Sequence, residues 1–149
     1  SIVQDCSVGR YNWVKISNSS PVQVGARVPH FSLRTQSEEE HLLMDLCSQN
    51  NIHNLFVFAT KINEPFLIET KNRFSRYEKY IAIHPVSVSL EAVPEGWPSI
   101  LVDEENMFET LMGVQETGYI LVRPDQHIAF RASPADPGLL TEYLKKIFI

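Results

Sequence analysis

Leu55-Phe56-Val57-Phe58-Ala59 is a continuous apolar run bounded by polar residues, which predicts a strand buried on both faces in the middle of a helix-covered sheet. Asn63 can cap the next element, Pro65 suits its first turn, and Leu67, Thr70, Phe74, Tyr77 and Ile81 recur at amphipathic-helix spacing. Val86-Ser87-Val88-Ser89-Leu90 then alternates with period two and predicts a strand with Pro85 at its start. A strand-helix-strand unit of this kind joins parallel strands through a right-handed crossover, so an α/β sheet is expected.

Gly9, Ser17-Asn18-Ser19-Ser20, Pro21 and Gly25 break any periodicity before this unit, so residues 1–24 read as an irregular arm or linker ahead of one domain over 25–149. Ser37 and Glu40 stand at capping-box spacing before Leu42, Leu43, Leu46 and Cys47, predicting a short helix that ends near Asn50 or Asn51. Downstream, Ile100-Leu101-Val102 reads as a short apolar piece and Met107 to Met112 as a helix of one or two turns ending at Gly113. Tyr119–Arg123 and His127–Arg131 flank Pro124-Asp125-Gln126 and predict an antiparallel hairpin. Asp136 caps a last helix with Pro137 at its first position, and Leu140, Tyr143, Leu144, Ile147 and Phe148 form its apolar face.

Composition narrows the function classes. The 149 residues carry a net charge of -5, a balance that builds no strong positive field for nucleic acid or an anionic membrane. No apolar run approaches the roughly 20 residues a membrane helix needs, and no secretory signal pattern is present, so a cytoplasmic protein is expected. The start at Ser1, without methionine or clear periodicity, reads as a cut through something longer. The two cysteines, Cys6 and Cys47, form no CxxC and are expected as free thiols.

The element order resembles a thioredoxin-like fold, and Gly25-Ala26-Arg27-Val28-Pro29-His30-Phe31-Ser32-Leu33 resembles the GxxxPxFxL opening of peroxiredoxins. Thiol chemistry in that fold needs a low-pKa cysteine just after the central strand, but the segment Thr60–Pro65 has none, and Cys47 falls on the apolar face of its helix as a core residue. A second resemblance covers more of the chain. Gly25–Pro29, Leu55–Phe58 and Tyr119-Ile120-Leu121-Val122-Arg123-Pro124-Asp125-Gln126-His127-Ile128-Ala129-Phe130-Arg131 resemble the C-terminal domain of FAD-dependent aromatic monooxygenases such as phenol hydroxylase, which reads LVRPDGxVAWR at this hairpin. Ser20-Pro21 resembles the linker to that domain. Gln126 stands in place of the family's glycine, where a positive φ would be strained, and Phe130 in place of its tryptophan.

The resemblance implies a redox-inactive packing or assembly domain without catalytic residues, whose partner is the FAD- and substrate-binding body of a hydroxylase, with subunit contact, including a homodimer, as a further role. FAD and NAD(P)H are implied for that parent. This chain has no GxG among its glycines at 9, 25, 96, 113, 118 and 138, so no cofactor site is expected here. Two rivals are a free-standing binding module, using the edge around Thr60–Pro65 and Pro94–Pro98, and a thiol or peroxide oxidoreductase, which requires a reactive thiolate.

Arg123, Asp125 and Arg131 are the candidate docking residues: the arginines could clamp a carboxylate or carbonyl of a neighbouring domain. The plainer reading has Asp125 accepting turn amides and the arginines pairing with Asp103 or Glu105. His30, His41, His53, His84 and His127 lack metal-ligand spacing. Glu38-Glu39-Glu40 reads as the first turn of a helix and Asp103-Glu104-Glu105 as solvated loop charge. No GxSxG elbow is present. Tyr11, Trp13 and Trp97 lie outside periodic segments, as anchors for the arm.

Overall fold

A computed structural model describes residues 23–35, 37–49, 51–60, 64–88, 97 and 100–148. The elements are β1 (Ser32–Thr35), β2 (Glu40–Leu42), α1 (Leu43–Ser48), β3 (His53–Ala59), α2 (Glu64–Phe74), β4 (Ile81–Ser87), β5 (Leu101–Val102), α3 (Met107–Thr110), β6 (Thr117–Val122), β7 (Ile128–Ala132) and α4 (Pro137–Ile147). Among the described residues one mixed sheet runs in the order β2-β1-β5-β4-β3-β6-β7. The predicted crossover is present: β3 and β4 lie parallel, joined through α2, and β6 flanks β3 antiparallel.

The apolar run of β3 is buried on both faces because successive side chains serve two cores. Phe56 and Phe58 point into one, with Phe31, Cys47, Phe108, Ile120 and Val122. Leu55 and Val57 point into the other, with Leu67, Phe74, Tyr119, Leu121, Leu140 and Leu144. Each fully buried Leu, Val or Phe contributes about 1.5–3 kcal/mol of transfer free energy, which explains why this strand lies within the sheet. The hydroxyls of Thr70 and Tyr119 share a 2.9 Å hydrogen bond inside the second core. The α4 cap is as predicted: the Asp136 carboxylate accepts from the Leu139 amide at 3.1 Å.

Several expectations are corrected. Ser37 and Glu40 do not cap a helix; they belong to a hairpin in which Glu38 takes a left-handed turn (φ 66) and Glu40–Leu42 pairs with β1. The alternation that builds a strand here, Leu33 opposite His41, is shorter than any window in which period two is detectable. Ile81 leaves the helical stripe: α2 ends at Phe74, a 3-10 turn covers Ser75–Tyr77, and Ile81 opens β4 opposite His53. Pro85 consequently lies inside β4, at a point where β5 has not begun; β5 joins only at Val86. Asp103 is buried, and its carboxylate accepts the Met107 and Phe108 amides at 2.8 Å each, capping α3. The stretch 24–28 runs along the outer edge of the β6–β7 hairpin, with Gly25 N–H donating to the Ile128 carbonyl at 2.8 Å and Arg27 bridging His127. Asn63, Cys6, Tyr11, Trp13 and most of the 1–24 arm lie outside the described residues, as does Pro94–Pro98 apart from Trp97.

Candidate functional site

The place where a thiol enzyme of this architecture keeps its nucleophile is the end of β3. Thr60 follows the strand; its amide donates to the Glu116 carbonyl at 2.9 Å and its carbonyl accepts from Ser87 Oγ at 3.1 Å, and no residue from 60 to 65 is a cysteine. Cys47 sits on α1, fully buried in the first core, and burial alone pushes its thiol up to about 12. A thiol held protonated and shielded in this way is a poor nucleophile.

The hairpin candidates separate. Arg123 and Asp125 come together in a two-pronged pair, Nε to Oδ1 at 3.1 Å and Nη2 to Oδ2 at 2.9 Å. The Arg123 hydrogen bond is the largest influence holding the Asp125 carboxyl down at about 2, and the His127 amide adds a further donor at 3.2 Å. Asp125 thus accepts a turn amide as expected, and Gln126 adopts φ 71, a left-handed value that a glycine would take without strain. Arg131 lies elsewhere, buried on β7 with Nη2 reaching the Gly113 carbonyl at 3.4 Å; burial lowers its guanidinium to about 10.

A polar pair that no sequence motif announces lies across β3 and β4. Asn54 Nδ2 donates to the carbonyls of Cys47 (3.3 Å) and Ile52 (3.1 Å), so Asn54 Oδ1 is its acceptor end. His84 Nε2 stands 2.8 Å from that oxygen and must therefore carry the hydrogen, while the ring stacks on Phe56 with centroids 4.9 Å apart. Burial pushes the imidazole down to about 4, so it is neutral near pH 7 and Nδ1 keeps a free lone pair. Trp97 packs against the second core, as Ile83 does, with Lys71 Nζ 5.1 Å over its ring, and its Nε1–H is buried without an acceptor among the described residues. His84 and Trp97 line one cavity of about 350 Å³. Among the described residues no group of three or more His, Cys, Asp or Glu side chains could hold a metal, and no helix is long and apolar enough to cross a membrane.

No protein-family model matches the chain, and no curated protein matches it significantly. Solved structures do. A thiol peroxidase from Chromobacterium violaceum superposes with a TM-score of 0.67 at 16% identity, covering 85% of this chain and 88% of that one. PrxQ from Xylella fastidiosa gives 0.67 at 17% identity, over 86% and 96% of the two chains. The flavin-dependent monooxygenase PieE, solved with FAD and substrate, gives 0.56 at 24% identity; the match covers 82% of this chain but only 18% of that protein. These likenesses are of fold: the chain is a thioredoxin-like α/β domain with a mixed sheet and flanking helices, and it contains no CxxC pair.

Proposed function

We propose that this chain is a non-catalytic packing and assembly domain of the kind that ends FAD-dependent aromatic-ring monooxygenases, with flavin, NAD(P)H and substrate handled by a hydroxylase body outside this sequence. The carrying observation is that a thioredoxin-like fold is kept while the segment after β3 has no cysteine and Cys47 is sealed in the core. Such a fold retains its packing and has lost its nucleophile. Two further features support the reading. The hairpin motif folds around its own Arg123–Asp125 pair, and PieE is a structural neighbour over a segment of matching size. In this reading Arg123, with its guanidinium held rigid by Asp125, presents the face of the turn that meets the body.

The test is the intact mass and visible spectrum of the protein isolated from its natural source with an antibody against this segment. A polypeptide several times heavier than 17.0 kDa that carries flavin is the expected result. A colourless protein near 17.0 kDa would overturn the assignment and favour a free-standing module.

A further inference from the structure

At one end of the sheet the starts of β3 and β4 meet the end of β6, with His53 opposite Ile81 and Asn54 opposite Val122. The Tyr80 carbonyl accepts from the His53 amide there at 3.1 Å. The helices finish at the same end. Phe148, one residue past α4, stacks on Tyr80 with ring centroids 4.9 Å apart, and meets His53 at 5.1 Å and Tyr77, in the turn after α2, at 6.0 Å. Tyr80 is 47% exposed, more than any other large apolar side chain among the described residues, so an amphipathic ring lies open at this end.

The charge at this end runs against that of the chain. Arg76 lies over the Tyr77 ring at 5.6 Å, Lys79 precedes Tyr80, and Lys145 and Lys146 close α4. Arg123 stands at the hairpin turn, and Arg27 reaches Gln126 of that turn at 3.3 Å. Three carboxylates face these six cations: Asp125 on Arg123, Glu142 3.9 Å from Lys145, and Glu78. Three positive charges are thus in excess here, in a chain whose net charge is -5. Attraction to a helix C-terminus accounts for Lys145 and Lys146, but not for Arg27, Arg76 or Lys79. An open aromatic ring rimmed by cations has the composition of a protein interface, in which Tyr and Arg carry most of the binding energy. We propose that this end docks an acidic protein segment, with its Asp and Glu side chains on Arg76, Lys79 and Lys146 and one large apolar side chain on Tyr80. The carboxylates scattered among the cations interrupt the continuous positive track that a phosphodiester strand follows. Because the Arg123 turn belongs to this end, the inference deepens the packing role, and it rests on that reading only for which protein supplies the segment.

The probe is the peptide acetyl-Glu-Asp-Trp-Glu-Asp-amide, titrated into the full chain carrying nitrogen-15 at about 25 mM salt. The backbone amides of residues 76–80 and 146–148 should shift together and saturate with one constant at or below about 1 mM. Raising the salt to about 0.3 M should weaken binding at least about fivefold. The neutral peptide acetyl-Gln-Asn-Trp-Gln-Asn-amide should bind at least about fivefold more weakly, and so should the acidic peptide to a Lys79→Glu chain, whose altered side chain is exposed and leaves the core intact. Acetyl-Glu-Asp-Gly-Glu-Asp-amide, which offers nothing to Tyr80, should also bind more weakly. Absence of saturable shifts, equal affinity for the neutral or the glycine peptide, or unchanged binding by Lys79→Glu would each overturn the proposal. Tighter binding of an oligothymidylate of equal charge, or of phosphatidylserine vesicles, would overturn it in favour of nucleic acid or a membrane. Salt-sensitive self-association of the chain alone would overturn it in favour of a second copy, docked through its exposed Glu38–Glu40 turn. Peptide binding by a chain whose natural form is small and colourless would uphold this surface and overturn only the hydroxylase as its owner.

Discussion

Acidification should destabilise this protein through a single identifiable side chain. His84 is half-buried, stacked on Phe56, and desolvation holds it at about 4, below the ordinary 6.5 of an imidazole. As pH falls through the ordinary value the unfolded chain takes up a proton that the folded chain refuses until about 4, so the unfolded state binds more protons across this window. The contribution is whole above the ordinary value and is lost on descent towards the folded one. The full difference corresponds to about 3 kcal/mol, of which about 2 kcal/mol is lost between about pH 7 and about pH 4.5. Other groups titrate nearby: His53 is lowered by burial and then by Arg123, in the same direction, while burial raises Asp103, which acts oppositely. A comparison with His84→Phe cancels these common terms. That variant keeps a ring on Phe56 but leaves Asn54 Oδ1 without the imidazole donor, so its baseline should fall by about 1–3 kcal/mol. Urea unfolding of both chains at a series of pH values measures the difference. The original chain should lose about 2 kcal/mol more than the variant over the window. Parallel pH profiles, or an NMR titration of His84 at the ordinary imidazole value, would refute the reasoning.

Further outcomes test the packing and the turn. Gly118→Ala should destabilise by about 1–3 kcal/mol, because the added Cβ would lie 2.4 Å from Val114 Cγ1 and 2.9 Å from the Ala132 carbonyl; thermal unfolding reads it, and an unchanged Tm would refute it. Asp136→Ala removes the acceptor for the Leu139 amide and should cost about 1 kcal/mol, seen as a lowered urea midpoint. Gln126→Gly should raise stability by up to about 1 kcal/mol by relieving a left-handed φ of 71, although it forfeits the 3.3 Å contact with Arg27; a lowered midpoint would show that this contact matters more. Cys47 should resist iodoacetamide near neutral pH on the timescale of free thiols and react only as the fold opens; rapid selective labelling would revive a thiol enzyme.

The elements legible in the chain are those whose own pattern exceeds any competing signal. The run Leu55–Ala59, the stripe Leu67–Thr70–Phe74–Tyr77, the hairpin about Pro124–Gln126 and the Asp136–Pro137 cap each satisfy a local rule, and each is realised. The core position of Cys47 was legible for the same reason, and with it the lack of a nucleophile after the central strand. Elements decided by partners were not legible. Glu40–Leu42 becomes a strand because β1 lies beside it, and Ile81 becomes a strand residue because His53 stands opposite, although its spacing continues the helical stripe. Asp103 leaves the solvent because two α3 amides need an acceptor. The Asn54–His84 pair shows the division most plainly. Asn54 and His84 share no motif; the parallel register of β3 on β4, setting Phe56 opposite His84, brings the imidazole to the amide of Asn54. Periodicity along a chain records which face of an element is buried, and so it determined the layers and the core position of Cys47. Which polar groups meet across strands, and which are left without a partner, depends on register and strand length, and only the tertiary structure decided that.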